Sequence, residues 1–144
     1  MEEINMRAID VANYVVDYCH RKGINISNLK LQKLLYFIQA SFLINNLGPC
    51  FSDEIEAWDF GPVVPEVYRE YRGFGSGNIP IPTTTSNGQR PRHHEVINQV
   101  IDDLSEYSAT DLVRITHEQS PWLDVYQPYQ NNVITVEAIK EYFS

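Results

Sequence analysis

Between Ser27 and Gly48 the chain reads SNLKLQKLLYFIQASFLINNLG. On a helix drawn through it, Leu29, Leu31, Leu34, Leu35, Tyr36, Phe37, Ile38, Ala40, Phe42, Leu43 and Ile44 fall on nearly every side. A single apolar stripe marks a helix laid on a surface, whereas apolar residues all round mark one that other elements must enclose. Ser27 is a good N-cap and Gly48-Pro49 a good stop. Two lysines, Lys30 and Lys33, interrupt the segment. Lysine is almost never enclosed without a partner. One of them is therefore expected to meet Asp59 or Glu66, or to run its ammonium out to solvent.

The remaining segments supply the cover. Ala8, Ala12, Val15 and Cys19 share one helical face, with Val11 and Val16 beside it, and Gly23 closes that helix. In DEIEAWDF, Ile55 and Ala57 alternate with Glu56 and Trp58, which predicts a brief extended segment. A reversal at Gly61-Pro62 follows, and then a helix over VVPEVYREY. Pro65 fits only its first turn, so the start is expected near Val63 or Val64. From Gly73 to Pro91 the composition predicts a long, flexible loop. Val96, Ile97, Val100, Ile101 and Leu104 form the stripe of the next helix. Ser108 with Asp111 opens another, carrying Leu112, Val113 and Ile115. Pro121 opens a short turn with Trp122 and Val125, and Thr135 caps VEAIKEYF. The expected fold is mainly α: a compact single-domain bundle of about six or seven helices around a buried central helix, with one minor extended segment.

Length and charge narrow the function. One domain is expected to fill residues 1–144, with no room for a second. A hydrophobic share of 43% is enough for one core. The net charge of −8 lacks the basic footprint of a phosphate-backbone binder, so no nucleic-acid partner is expected. It fits a basic partner, although acidic surfaces also serve solubility alone. No run of about 18 apolar residues is free of polar breaks, and MEEINMRAID has no leader core. Cys19 and Cys50 form no paired motif. A reduced cytoplasmic protein without cofactor or structural metal is expected.

Several short motifs invite a chemical reading. GFGSGN, from Gly73 to Asn78, alternates glycines but lacks the preceding strand and following helix of a phosphate loop, so it reads as a flexible turn. His93 and His94 are adjacent, and neighbouring helix positions diverge by about 100°, which disfavours a shared metal. His117 and Glu118 offer a general base for a small hydrolase, but no nucleophile set accompanies them, and the plainer role for His117 is a bond to backbone at a helix end. Trp58, Phe60, Tyr68, Tyr71 and Trp122 cluster near turns. Such aromatics serve as core or as interface anchors.

Three motifs in order complete the picture: LKLQKLLYFIQA (Leu29 to Ala40), AWDFGPVVPEVY (Ala57 to Tyr68) and LVRITHEQSPW (Leu112 to Trp122), closed by ITVEAIKEYF. Together they resemble the Panacea, or SocA-like, antitoxin domain, found also in phage-associated proteins of the GepA type. The resemblance implies a helical, non-enzymatic domain that neutralises a protein toxin encoded nearby by binding it, with an adaptor role toward an ATP-dependent protease in one member type. The alternative it leaves open is a phage or mobile-element accessory protein that binds a host protein. Leu31, Lys33, Leu34 and Tyr36 match the first motif, Gly61, Pro62, Val63 and Tyr68 the second, and Thr116, His117, Pro121 and Trp122 the third. Partner contacts are expected on the aromatic corner of Trp58, Phe60, Tyr68, Tyr71 and Trp122, or on the 73–91 loop.

Overall fold

The computed structural model describes residues 6–83 and 90–144. Among them are seven α-helices and one three-stranded antiparallel sheet, so the mainly α expectation holds. In chain order these are α1 (Ala8–Lys22), α2 (Asn28–Ile44), β1 (Ile55–Trp58), β2 (Gly61–Val63), α3 (Pro65–Tyr71), α4 (His94–Asp103), α5 (Ala109–His117), α6 (Ser120–Leu123), β3 (Val133–Ile134) and α7 (Val136–Phe143). Helix α2 is the centre: α1, α3, α4, α5, α7 and strand β2 all pack on it. Leu31, Leu34, Leu35, Ile38 and Phe42 are enclosed there. Each such side chain contributes roughly 1.5–3 kcal/mol by leaving water.

Helix ends follow their capping chemistry. The Ser27 hydroxyl accepts the Lys30 N–H at 3.2 Å. Ser108 and Asp111 exchange both bonds of a capping box, and Thr135 Oγ1 accepts the Ala138 N–H. At Gly23, φ is +69°, and the Ile24 N–H then reaches the Cys19 carbonyl at 2.9 Å. Helix α2 stops earlier than expected. Asn46 takes φ +58°, which asparagine tolerates, and Leu47 N–H closes on Phe42 O, so Gly48-Pro49 lies past the end.

Three expectations need correction. The chain reverses at Asp59-Phe60, not at Gly61-Pro62, because Gly61 pairs with Trp58 and Pro62 with Ala57 in β2. Since Val63 pairs with Glu56 in that strand, α3 starts at Pro65, with Val64 as its N-cap. A third strand, β3, pairs Ile134 with Ile55 and completes the order β2-β1-β3. Two residues are too few to show an alternating pattern. In the 73–91 segment, GFGSGN forms a turn whose exit is bonded to the α1–α2 connection. Ile79 is buried, its N–H bonds Ile26 O at 2.8 Å, and Asn78 Oδ1 accepts the Ile26 N–H at 2.7 Å. Residues 84–89 of the expected flexible loop lie outside the described residues.

The central helix carries a buried polar stripe that its apolar residues mask in the sequence. Asn28, Gln32, Lys33 and Gln39 are all enclosed. Their polar atoms reach backbone groups of other segments. Asn28 Nδ2 donates to Tyr68 O, and Gln32 Oε1 accepts Val64 N–H at 2.9 Å. Gln39 Oε1 accepts Cys50 N–H at 2.7 Å while its Nε2 donates to Phe51 O at 3.0 Å. Replacing Gln39 with Met keeps the shape and strands both groups of that loop. The expected loss in urea unfolding is about 1–3 kcal/mol. A change below about 0.5 kcal/mol would mean that solvent reaches the loop and takes over its bonds.

Candidate functional site

The site is built on the β1–β2 turn. Strand β1 ends at Trp58, Asp59 and Phe60 form the turn, and Gly61 begins β2. Beneath it lies Lys33 from the central helix, 0% exposed, whose Nζ donates to Pro62 O at 2.9 Å. The expected carboxylate partner is not there. Asp59 accepts from Tyr126 and Glu66 from Arg7, while Lys30 Nζ donates to Ser105 O at 3.0 Å. Both lysines thus end on carbonyl oxygens rather than on acids or in open solvent.

Gly61 is fixed by this neighbour. Its φ is +101°, and a Cβ built on it would stand 2.6 Å from Lys33 Cε and 2.9 Å from Thr116 Oγ1. Only glycine satisfies both the backbone angle and the space. Thr116 is buried and turned back onto its own helix, donating toward Leu112 O and Val113 O. Tyr36 OH donates to Gln119 Oε1 at 2.7 Å, tying α2 to the α5–α6 junction. Lys33, Gly61, Pro62 and Thr116, drawn from three separate motifs, therefore meet in one place. Leu31 and Leu34 are core on the same helix. Val63 and Pro121 are buried as well.

From the other side, three rings grip the turn. His117 stacks on Trp122 at 4.1 Å between centroids, and Trp122 on Tyr126 at 4.4 Å. Each ring sends one polar group to the turn. Trp122 Nε1 donates to Trp58 O at 2.8 Å, His117 Nε2 lies 2.9 Å from Asp59 O, and Tyr126 OH donates to Asp59 Oδ1. A carbonyl oxygen only accepts, so the His117 bond places a proton on Nε2. Asp59 in turn raises the Tyr126 phenol above its ordinary value.

The aromatic corner divides by exposure. Phe60, at the tip, is 65% exposed. Trp58 and Tyr68 are half-buried and meet edge to face at 5.0 Å. Tyr71 is fully enclosed, its OH donating to Asn13 Oδ1 at 2.5 Å, and Trp122 keeps only 8% of its surface. Trp122 thus holds the corner from inside, Phe60 projects from it, and Trp58 and Tyr68 are partly exposed beside it, whereas Tyr71 lies apart from it, bonded to Asn13 and Thr83. Sequence reasoning missed Tyr126 and Asp59 as a pair, and Gln119. The signal was present in the spacing of Trp122 and Tyr126, one helical turn apart.

Other candidate groups are placed elsewhere. Glu118 is exposed, and the His117 ring is engaged by the stack and by Asp59 O, so the two do not form a base beside a nucleophile. His93 sits against Phe42 and His94 against Tyr14. Among the described residues no three His, Cys, Asp or Glu side chains gather as a metal site would require. No helix among them is long and apolar enough to cross a membrane. Cys19 and Cys50 are buried free thiols, which burial pushes up to about 11 and about 12.

Among the described residues the site is thus an aromatic-tipped turn clasped by His117, Trp122 and Tyr126 and underlain by Lys33. The family described as Antitoxin SocA-like, Panacea domain, matches residues 31–123, which include all of the clasped turn and two of its three rings. Antitoxin SocA of Caulobacter vibrioides (strain NA1000 / CB15N) is 37% identical over 133 residues, covering 84% of this chain and 70% of that protein. The chain belongs to the SocA-like, Panacea-domain antitoxin family. No solved structure gives a significant match.

Lys33 leaves a pH signature. Burial pushes its ammonium down to about 7, against about 10.4 in an unfolded chain. Between these values the unfolded state holds the extra proton. Stability therefore rises with pH across the window and is lost as pH falls toward 7. The cysteines act oppositely above about pH 8.5, where unfolded thiols ionise and the buried ones do not. Between pH 7 and 8.5, wild type is expected to gain stability relative to Lys33→Met by up to about 1.4 kcal/mol per pH unit. Parallel profiles in chemical unfolding would show that Lys33 keeps its charge inside the fold.

Proposed function

We propose that this chain is a non-enzymatic antitoxin that neutralises a protein toxin encoded beside it by direct binding, with the Phe60 corner as part of the contact face. The observation that carries the contact face is the combination of exposure and rigidity at Phe60. A phenylalanine 65% exposed sits on a two-residue turn that three rings hold from one side and Lys33 from beneath. A rigid apolar tip loses little conformational entropy when a partner covers it. Membership of an antitoxin family, and a relative that is itself called an antitoxin, support the direction of the reading. Buried, proton-holding thiols are consistent with action in a reducing cytoplasm.

The test is co-expression with the neighbouring reading frame in growing cells. Rescue of growth with a co-purifying complex is the expected result. Rescue with disappearance of the neighbour would instead point to delivery to an ATP-dependent protease. A harmless neighbour would favour the accessory-protein alternative, with a host protein as partner. Phe60→Asp, at a solvated tip, is expected to change stability by no more than about 0.5 kcal/mol. It is expected to weaken the complex by roughly ten-fold or more. Full neutralisation by a folded Phe60→Asp protein would remove the corner from the interface.

A further inference from the structure

One strip of the central helix, from the partly buried Phe37 to the exposed Ile44, borders a groove. Phe37, Ala40, Ser41 and Ile44 follow each other along α2, and with Val100, Asp103 and Leu104 of α4 and Phe143 of α7 they line an open groove of about 190 Å³. Ile44 keeps 42% of its surface. From Phe37 to Ile44 the floor runs for about 10 Å, or two helical turns at ~1.5 Å per residue. That length matches a short helix presenting apolar side chains at i, i+3 or i+4, and i+7.

The charge at the groove has one sign. Among the described residues, Asp103 is the only charged one lining it, and Lys140, one turn before Phe143, is not part of the lining. The Asp103 carboxylate accepts from the neutral Gln99 amide at 2.8 Å, and no cation pairs with it among the described residues. Helices α2 and α4 both end along the groove, and neither has a basic residue in its last turn. Their carbonyl ends add negative potential there. The whole chain carries −8. A second copy of the chain would bring Asp103 and the same net charge to the same place, so self-association is the poorer fit.

We infer that this groove seats an amphipathic helix of a partner protein, about two turns of aliphatic face flanked by lysine or arginine. The inference rests on the antitoxin reading for the partner's identity, since the helix belongs to the neutralised protein. Aliphatic residues fill the floor, and the basic flank meets Asp103 and the helix ends.

The probes are two designed peptides of about 18 residues with leucines at i, i+3, i+4 and i+7 and either Lys or Glu elsewhere. Each is titrated onto the full chain, labelled at methyl groups, at about 0.15 M salt. The Lys peptide is expected to shift the methyl resonances of Ile44, Val100 and Leu104 and to bind at least ten-fold tighter than the Glu peptide. Ser41→Arg, which puts bulk and positive charge on the floor, should abolish that binding. Asp103→Lys, at an exposed rim position, should reduce the preference several-fold with an unchanged Tm. Equal affinity for both peptides, shifts confined to other surfaces, or undiminished binding by both variants would overturn the groove. The rescue assay separates the two ideas. A toxic neighbour still neutralised by folded Ser41→Arg and Asp103→Lys would remove the groove and leave the antitoxin reading. Groove binding beside a harmless neighbour would do the reverse.

Discussion

The polar stripe inside helix α2 is the constraint on which the rest depends. A helix enclosed on nearly all sides normally offers its neighbours only apolar packing. Here Asn28, Gln32, Lys33, Tyr36 and Gln39 each reach out of it to a different piece of chain: the end of α3, its N-cap, the β2 strand, the α5–α6 junction and the 50–51 loop. Polar groups left unpaired in a dry interior are costly, so each bond fixes where the segment it meets must run. Apolar packing alone would tolerate sliding, whereas these bonds do not.

That division also explains what could be read in advance. The enclosed helix, the caps at Ser27, Ser108 and Thr135, and the left-handed Gly23 follow from local chemistry, and the structure has all of them. The turn at Asp59-Phe60 was misplaced because Gly-Pro is a stronger local turn signal than Asp-Phe. Pairing with Trp58 and Ala57 overrides it. The partners of Lys30 and Lys33 were misassigned because charge invites a search for opposite charge. A carbonyl oxygen carries no mark in a sequence. For the aromatic residues near the turns, the sequence names the rings but not which of them are enclosed. Exposure depends on which ring lies inside the stack, and only the tertiary arrangement decides that Trp122 is inside and Phe60 outside.

The two faces of the molecule differ in how they are made. The Phe60 turn is held by directional bonds from His117, Trp122, Tyr126 and Lys33. The α2–α4–α7 groove is an interruption in apolar packing, bounded by Asp103. A tip that projects and a groove that receives are complementary ways to engage another protein. The first favours shape, through a fixed side chain, and the second favours charge and aliphatic content.

The clasp on the β1–β2 turn also sets an order of events during synthesis. Phe60 leaves the ribosome well before His117, Trp122 and Tyr126, which lie 58 to 67 residues further along from their contacts at Trp58 and Asp59. Contacts at such separation form late, because the intervening chain must be closed first. A nascent or clipped chain lacking the 117–126 segment could carry Phe60 yet leave its turn unclasped. The corner in its held form therefore reports that the 117–126 segment has docked, and a ligand that requires the rigid tip would discriminate finished molecules from unfinished ones.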